Sequence, residues 1–230
     1  MQKQKIYFLI LILFLSVSNI LEGRKITLKS KNKSNENQDS FGGPYFEQEL
    51  QSFKNSQNKN DKTDKYYGWE TNLNSSSGDP QAVKGGTFTM LGGDEYPTTF
   101  RSLGKDSRHQ INGLMDGLQN EPLLGFDYEK LEWQPVIATH WKIEDDSLTY
   151  WFRIDPRAKW ADGKDIIAED VVAAFKLHTD DGHEDPNVAG YYKELFNIPI
   201  AESKYIVKIV SKKIDWRTFR AAASIYPMPS

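Results

Sequence analysis

Trp151-Phe-Arg-Ile-Asp-Pro-Arg-Ala-Lys-Trp-Ala-Asp-Gly-Lys-Asp-Ile-Ile-Ala-Glu-Asp-Val-Val-Ala-Ala-Phe175 changes its hydrophobic period half-way along, and that change decides the fold. Leu148, Tyr150, Phe152 and Ile154 alternate with Thr149, Trp151, Arg153 and Asp155, a period of two that predicts a strand with one apolar face. Asp162-Gly163 then predicts a tight reversal, because glycine accepts positive φ and aspartate can bond its own backbone. Beyond it Ala168, Val171, Val172 and Phe175 fall on one stripe of a helix, with Glu169 and Asp170 where a helix N-terminus favours negative charge.

The stretch also carries a family likeness. Lys159, Trp160, Asp162, Gly163, Lys164, Ile166, Ala168, Glu169, Asp170 and Val171 together resemble the signature of the family 5 extracellular solute-binding proteins, the oligopeptide, dipeptide and nickel receptors of ABC importers. Asp165 stands where that family usually has proline, and Ile167 where it has a threonine helix cap. Isoleucine cannot cap, so the helix start is expected to be looser by ~1 kcal/mol.

Working outward, two hairpins are expected. Trp141 to Glu144, a turn at Asp145-Asp146-Ser147 and the strand from Leu148 make the first; the turn chemistry reads Asp145 and Asp146 as solvated turn residues, not a catalytic pair. Ile198 to Ala201, a turn at Glu202-Ser-Lys204 and the β-branched run Tyr205 to Val210 make the second. A helix is expected near Ser107, which stands at capping-box spacing from Gln110, with Ile111, Leu114, Met115 and Leu118 on its apolar face. Trp216, Phe219 and Arg220 suggest one more short helix. Further upstream, Gly85-Gly86 and Thr87 to Leu91 read as a turn and strand, without the spacing of a phosphate loop.

The N-terminal third is different in kind. Lys3 and Lys5 precede an apolar run from Ile6 to Val17, so residues 1–21 are read as a signal peptide, with an uncleaved membrane anchor as the alternative. Residues 22–82 are rich in Lys, Asn, Ser, Gln and Asp and are read as a disordered polar linker. Phe46, Leu50 and Phe53 have helical spacing within it, enough for a short docking helix but too isolated to build on. Residues 83–230 hold the globular part, with 120–220 as a small companion domain.

Composition narrows function. A net charge of −3 over 230 residues argues against nucleic acid as a partner. The absence of cysteine removes disulfides, thiolate metal sites and a thiol nucleophile. The four histidines, His109, His140, His178 and His183, form no Ser-His-Asp arrangement at recognisable spacing, so no catalytic residue is nominated and an enzyme is not expected. His178 to Pro186 is dense in His and carboxylate, but its spacing suits neither a helical metal pair nor a calcium loop, and no metal or cofactor is expected.

Irregular backbone between a strand end and a helix start is where binding residues tend to sit, which singles out Phe100, Arg101, Ser102, Leu103 and Gly104. An ordinary surface loop is the alternative. The resemblance implies that this segment lines a ligand cleft, and Arg101 or Lys105 would then meet a peptide carboxylate. It further implies an α/β fold with a mixed sheet, the N-terminal part of a two-lobed type II periplasmic-binding-protein fold lacking its second lobe. The function it implies is a periplasmic peptide receptor working with an ABC permease of the inner membrane. A non-transport docking or structural protein that kept the fold is the competing class.

Overall fold

The structure, a computed structural model, describes residues 46–55, 61–72, 81, 83, 85–87, 89 and 97–230, the side chains of Phe53 and His183 excepted. The signal-peptide reading, much of the linker and most of the expected strand from Thr87 to Leu91 lie outside the described residues.

In chain order the elements are α1 (Phe46–Asn55), β1 (Trp69–Glu70), α2 (Gln110–Gln119), β2 (Leu124–Asp127), β3 (Glu132–Pro135), β4 (Ala138–Ile143), β5 (Thr149–Ile154), α3 (Ala168–Thr179), α4 (Pro186–Leu195), β6 (Ile200–Ala201), β7 (Ile206–Val210) and α5 (Thr218–Ala223). Five strands pair in the order β1-β4-β5-β7-β6, and β2 pairs with β3 separately. Helices and strands mix as expected. The pairings among described strands are all antiparallel, a refinement of the mixed sheet that the resemblance implied. Local connections build three of them, β2 to β3, β4 to β5 and β6 to β7, while β1–β4 and β5–β7 join strands distant in sequence.

Both expected hairpins form. In the first, the Asp146 Oδ1 accepts from the amides of Leu148 at 2.8 Å and Thr149 at 2.9 Å, which staples the turn while Ser147 takes a φ of 57°. Asp145 pairs with Lys62 at 2.7 Å. On β5, Tyr150, Phe152 and Ile154 are buried as the alternation requires, and Phe219 of α5 stacks on Phe152 with centroids 5.9 Å apart. Residues 159–164 form a compact turn of their own. The Gly163 amide donates to the Trp160 carbonyl at 2.9 Å, with Gly163 at φ 88°, and Asp162 accepts from the Lys164 amide at 3.0 Å.

The helix start at α3 solves the missing cap in another way. Asp170 Oδ2 accepts from the Ile167 amide at 3.0 Å, the reciprocal half of a capping box, and the Asp170 amide, which an Ile side chain cannot serve, donates to the Ile167 carbonyl at 3.0 Å. From there Val171, Val172, Ala174 and Phe175 are buried, and α3 packs against α4, β6 and β7.

The opposite face of β5 departs from the sequence reading. Trp151 is partly buried and Arg153 is only 1% exposed, although both were expected on the polar side. Their cover comes from the stretch read as spacer. Phe46 and Leu50 of α1, with Tyr66 and Trp69, form a buried cluster with Ile206, and Trp151 packs against it. Each large side chain so buried contributes about 1.5–3 kcal/mol. β1 then adds an edge to β4 through Trp69 opposite Lys142 and Glu70 opposite Trp141. Residues 46–55 and 61–72 are thus a strap seated on the sheet and not a spacer, because four well-placed apolar residues suffice once a complementary face exists.

Candidate functional site

Helix α2 begins later than the capping-box spacing predicts. Its N-cap is His109, in extended backbone and without a side-chain cap, and Ser107 is instead buried in the preceding loop. The predicted stripe Ile111, Leu114 and Met115 is only half covered, and Leu118 is exposed. Asn112 is the buried residue of this helix. Its Nδ2 donates to the carbonyls of Thr99 at 2.9 Å and Ser107 at 3.0 Å, which ties the loop to the helix and fixes the orientation of the amide.

That tie shapes a cleft of about 350 Å³ between the loop, the start of α2 and the start of α4. Ser102 and Leu103, two of the five residues expected at a site, line it. Phe100, Arg101 and Gly104 are not among the lining residues: Phe100 is 66% exposed, the Arg101 Nε donates to the Thr99 hydroxyl at 3.1 Å, and Gly104 shapes the turn at φ 90°. Lys105 does not line the cleft either.

The far wall is one that sequence reasoning did not find. Arg108 forks onto Asp185, with Nε to Oδ2 at 3.1 Å and Nη2 to Oδ1 at 2.9 Å. Asp185 also caps α4, accepting from the Val188 amide at 3.3 Å, and Pro186 follows at the first helical position. Burial would push the Asp185 carboxyl up, but the Val188 amide and the Arg108 guanidinium outweigh it and hold the group below the usual carboxylate range. The Asp185-Pro186 pair is a readable helix start; its pairing with Arg108, 77 residues earlier, has no local signal.

The cleft therefore offers hydroxyls from Ser102 and Ser107, a neutralised Arg–Asp pair, and apolar contact from Leu103 and Val188. This is the equipment of a binding surface: polar groups that orient a ligand on a partly apolar wall. Among the described residues no three His, Asp or Glu side chains converge in a way that could hold a metal ion. His178 stacks on Tyr192 with centroids 5.3 Å apart, and Asp180 accepts from the Gly182 amide, so the acidic stretch after α3 is spent on local structure.

Residues 132–230 match the model of the bacterial extracellular solute-binding proteins, family 5. The dipeptide-binding protein DppE of Bacillus subtilis is 30% identical over 107 residues, 45% of this chain and 19% of that protein. The periplasmic murein peptide-binding protein MppA of Escherichia coli is 32% identical over 80 residues, 35% of this chain and 14% of that protein. Among solved structures, the oligopeptide-binding protein AppA of Bacillus subtilis, in complex with a nonapeptide, aligns at TM-score 0.50 and 25% identity over 60% of this chain and 26% of its own. Haemophilus influenzae OppA, in complex with the peptide RPPGFSPFR, aligns at TM-score 0.51 and 20% identity over 60% of this chain and 29% of its own, a likeness of fold. The matched stretches thus take in less than a third of each relative. The strand, Asp-Gly turn and acidic helix start all fall inside the matched region, residues 132–230, which is similar to the bacterial extracellular solute-binding proteins of family 5.

Proposed function

We propose that this chain provides the N-terminal portion of an exported, periplasmic receptor that captures peptides for an ABC importer. The observation that carries the reading is the cleft under Ser102 and Leu103, since it lies on the loop that the family resemblance assigns to ligand. An extended peptide suits such a wall. Its main-chain groups can bond to the loop hydroxyls and backbone, and its side chains can rest on Leu103 and Val188 without sequence-specific contacts. The names of the relatives, which are dipeptide-, murein-peptide- and oligopeptide-binding proteins, support peptide as the ligand class. A second lobe, closing by hinge bending, would complete the site and present the closed form to a membrane permease.

Native mass spectrometry of the purified chain with a mixed tri- to nonapeptide pool tests this. Retained peptides, displaced when Ser102→Trp fills the cleft, are the expected result. No retention by a folded chain, or retention unaffected by Ser102→Trp, overturns the assignment of the cleft and favours the docking-protein class. Cleavage of the peptides would point to an enzyme.

A further inference from the structure

His140 lies on β4 beneath α1 and is 3% exposed. The ring of Phe46 meets it edge-on with centroids 5.4 Å apart, and its Nδ1 sits 3.0 Å from the Thr139 hydroxyl. The same enclosure already holds one cation. The guanidinium of Arg153 is buried on the adjacent strand, 5.4 Å from the centre of the Phe46 ring, with Nη1 donating to Thr139 Oγ1 at 2.9 Å. Glu47 of α1, 41% exposed, stands 3.6 Å from Arg153 as countercharge. Lys54 of the same helix and Asp155 after β5 are the other charged groups acting on the imidazole. A proton on His140 would thus add a second buried positive charge within the field of Arg153 and Lys54, where burial denies it the hydration it would have in solvent.

We infer that the strap formed by residues 46–55 and 61–72 is an acid-loosened cover: protonation of His140 shifts α1 and β1 toward release from the sheet, exposing in the released form the Trp151 and Arg153 face and the open edge of β4. The strap is also held by the Phe46, Leu50, Tyr66 and Trp69 cluster, the two-residue ladder of β1, and the Glu47–Arg153 and exposed Lys62–Asp145 pairs. Thr71 bonds to the Thr139 carbonyl and Asn72 to Glu132 and the Trp133 carbonyl, so loss of the His140 contact weakens docking without removing every hold. Release lets water reach His140, removes Lys54 with α1 and lets solvent screen the charge of Arg153, which stays opposite His140 on β5, so proton binding and undocking are linked.

The direction follows from the imidazole. Burial, and then the charges of Arg153 and Lys54, push it down to about 3, opposed by Asp155. Above about pH 6.5 the imidazole is neutral whether the strap is on or off, and docking is at full strength. As pH falls below that value the released form takes up a proton that the docked form refuses. The release constant therefore rises about tenfold per pH unit, reaching roughly 30-fold at pH 5 relative to pH 7.5.

Hydrogen exchange on the full chain, read by mass spectrometry and corrected for the intrinsic pH dependence of exchange, tests this with β5 and β7 as internal references. The expected result is that protection across α1 and β1 falls by roughly 30-fold between pH 7.5 and 5 while β5 and β7 hold, and that His140→Asn abolishes the fall. A strap equally protected at both pH values, or one lost equally in folded His140→Asn, overturns the inference. Should His140→Asn lose β5 and β7 protection at pH 7.5, the wild-type imidazole is followed by NMR instead. Its titration must coincide with strap release; either event without the other overturns the inference.

Discussion

The amide of Ser230 donates to the Asp170 carboxylate at 3.0 Å, across 60 residues of sequence. The other oxygen of that carboxylate takes the Ile167 amide, and the Asp170 carbonyl takes the amide of Met228 at 3.0 Å. One buried residue therefore starts α3 and holds the segment after α5 in place. The helix start and the segment after α5 are held by the same carboxylate.

Asp170→Ala is expected to cost about 2–3 kcal/mol, since it strips partners from two amides at once in a buried position. Asp170→Asn, which keeps one acceptor oxygen, should cost less. Urea unfolding of both variants checks the order, and equal losses would mean that the carboxylate acts through charge alone.

Gly163 has φ 88°, and an added Cβ would meet nothing within 4 Å. Gly163→Ala is therefore expected to destabilise by only ~1 kcal/mol, the cost of the left-handed backbone without a clash. A loss several times larger in thermal unfolding would show that the turn is sterically enclosed.

Tyr150 donates or accepts at 2.6 Å with the buried Thr218 hydroxyl, joining β5 to the start of α5. Tyr150→Phe should cost about 1 kcal/mol and Thr218→Val a similar amount. The double variant should cost less than the sum only by the worth of the shared bond, because each hydroxyl also serves a carbonyl, Tyr150 that of Ser147 at 3.1 Å and Thr218 that of Asp215 at 2.7 Å. Additive losses in a denaturant series would place the two groups in separate networks.

Asp155 accepts from Arg157 Nε at 2.9 Å and Nη2 at 2.7 Å. Burial would push its carboxyl up, yet the Arg157 side chain and amide prevail and hold it below the ordinary range. A depressed carboxyl contributes stability that is present above about pH 4 and is lost as pH falls through that region toward its folded value. Arg157→Ala should flatten the stability profile below about pH 4 and leave its slope between about pH 5 and 7 unchanged. Urea midpoints measured across both windows separate this acid limb from that of His140.

The local grammar was readable because its causes are local. The alternation ending at Ile154, the Asp162-Gly163 turn and the Ala168 to Phe175 stripe each specify their conformation within a few residues, and each appears where expected. The strap was not readable. Phe46, Leu50, Tyr66 and Trp69 are scattered through polar sequence, and the face that covers them is written later, in β4, β5 and β7. For the same reason Arg153 looked like a solvent-facing residue. The cleft divides likewise: the loop position of Ser102 and Leu103 could be inferred, whereas the Arg108–Asp185 wall depends on two distant elements meeting.

The pairing of Trp69 with Lys142 also orders assembly in time. The strap is synthesised before its seat exists, and about eighty further residues must follow before β4 and β5 can form their hairpin. At about 5–20 residues per second, the strap's aromatic residues stay unsheltered for several seconds. Its dense polar surroundings then have a use that the finished fold conceals: they keep a waiting segment soluble until the sheet is ready to receive it.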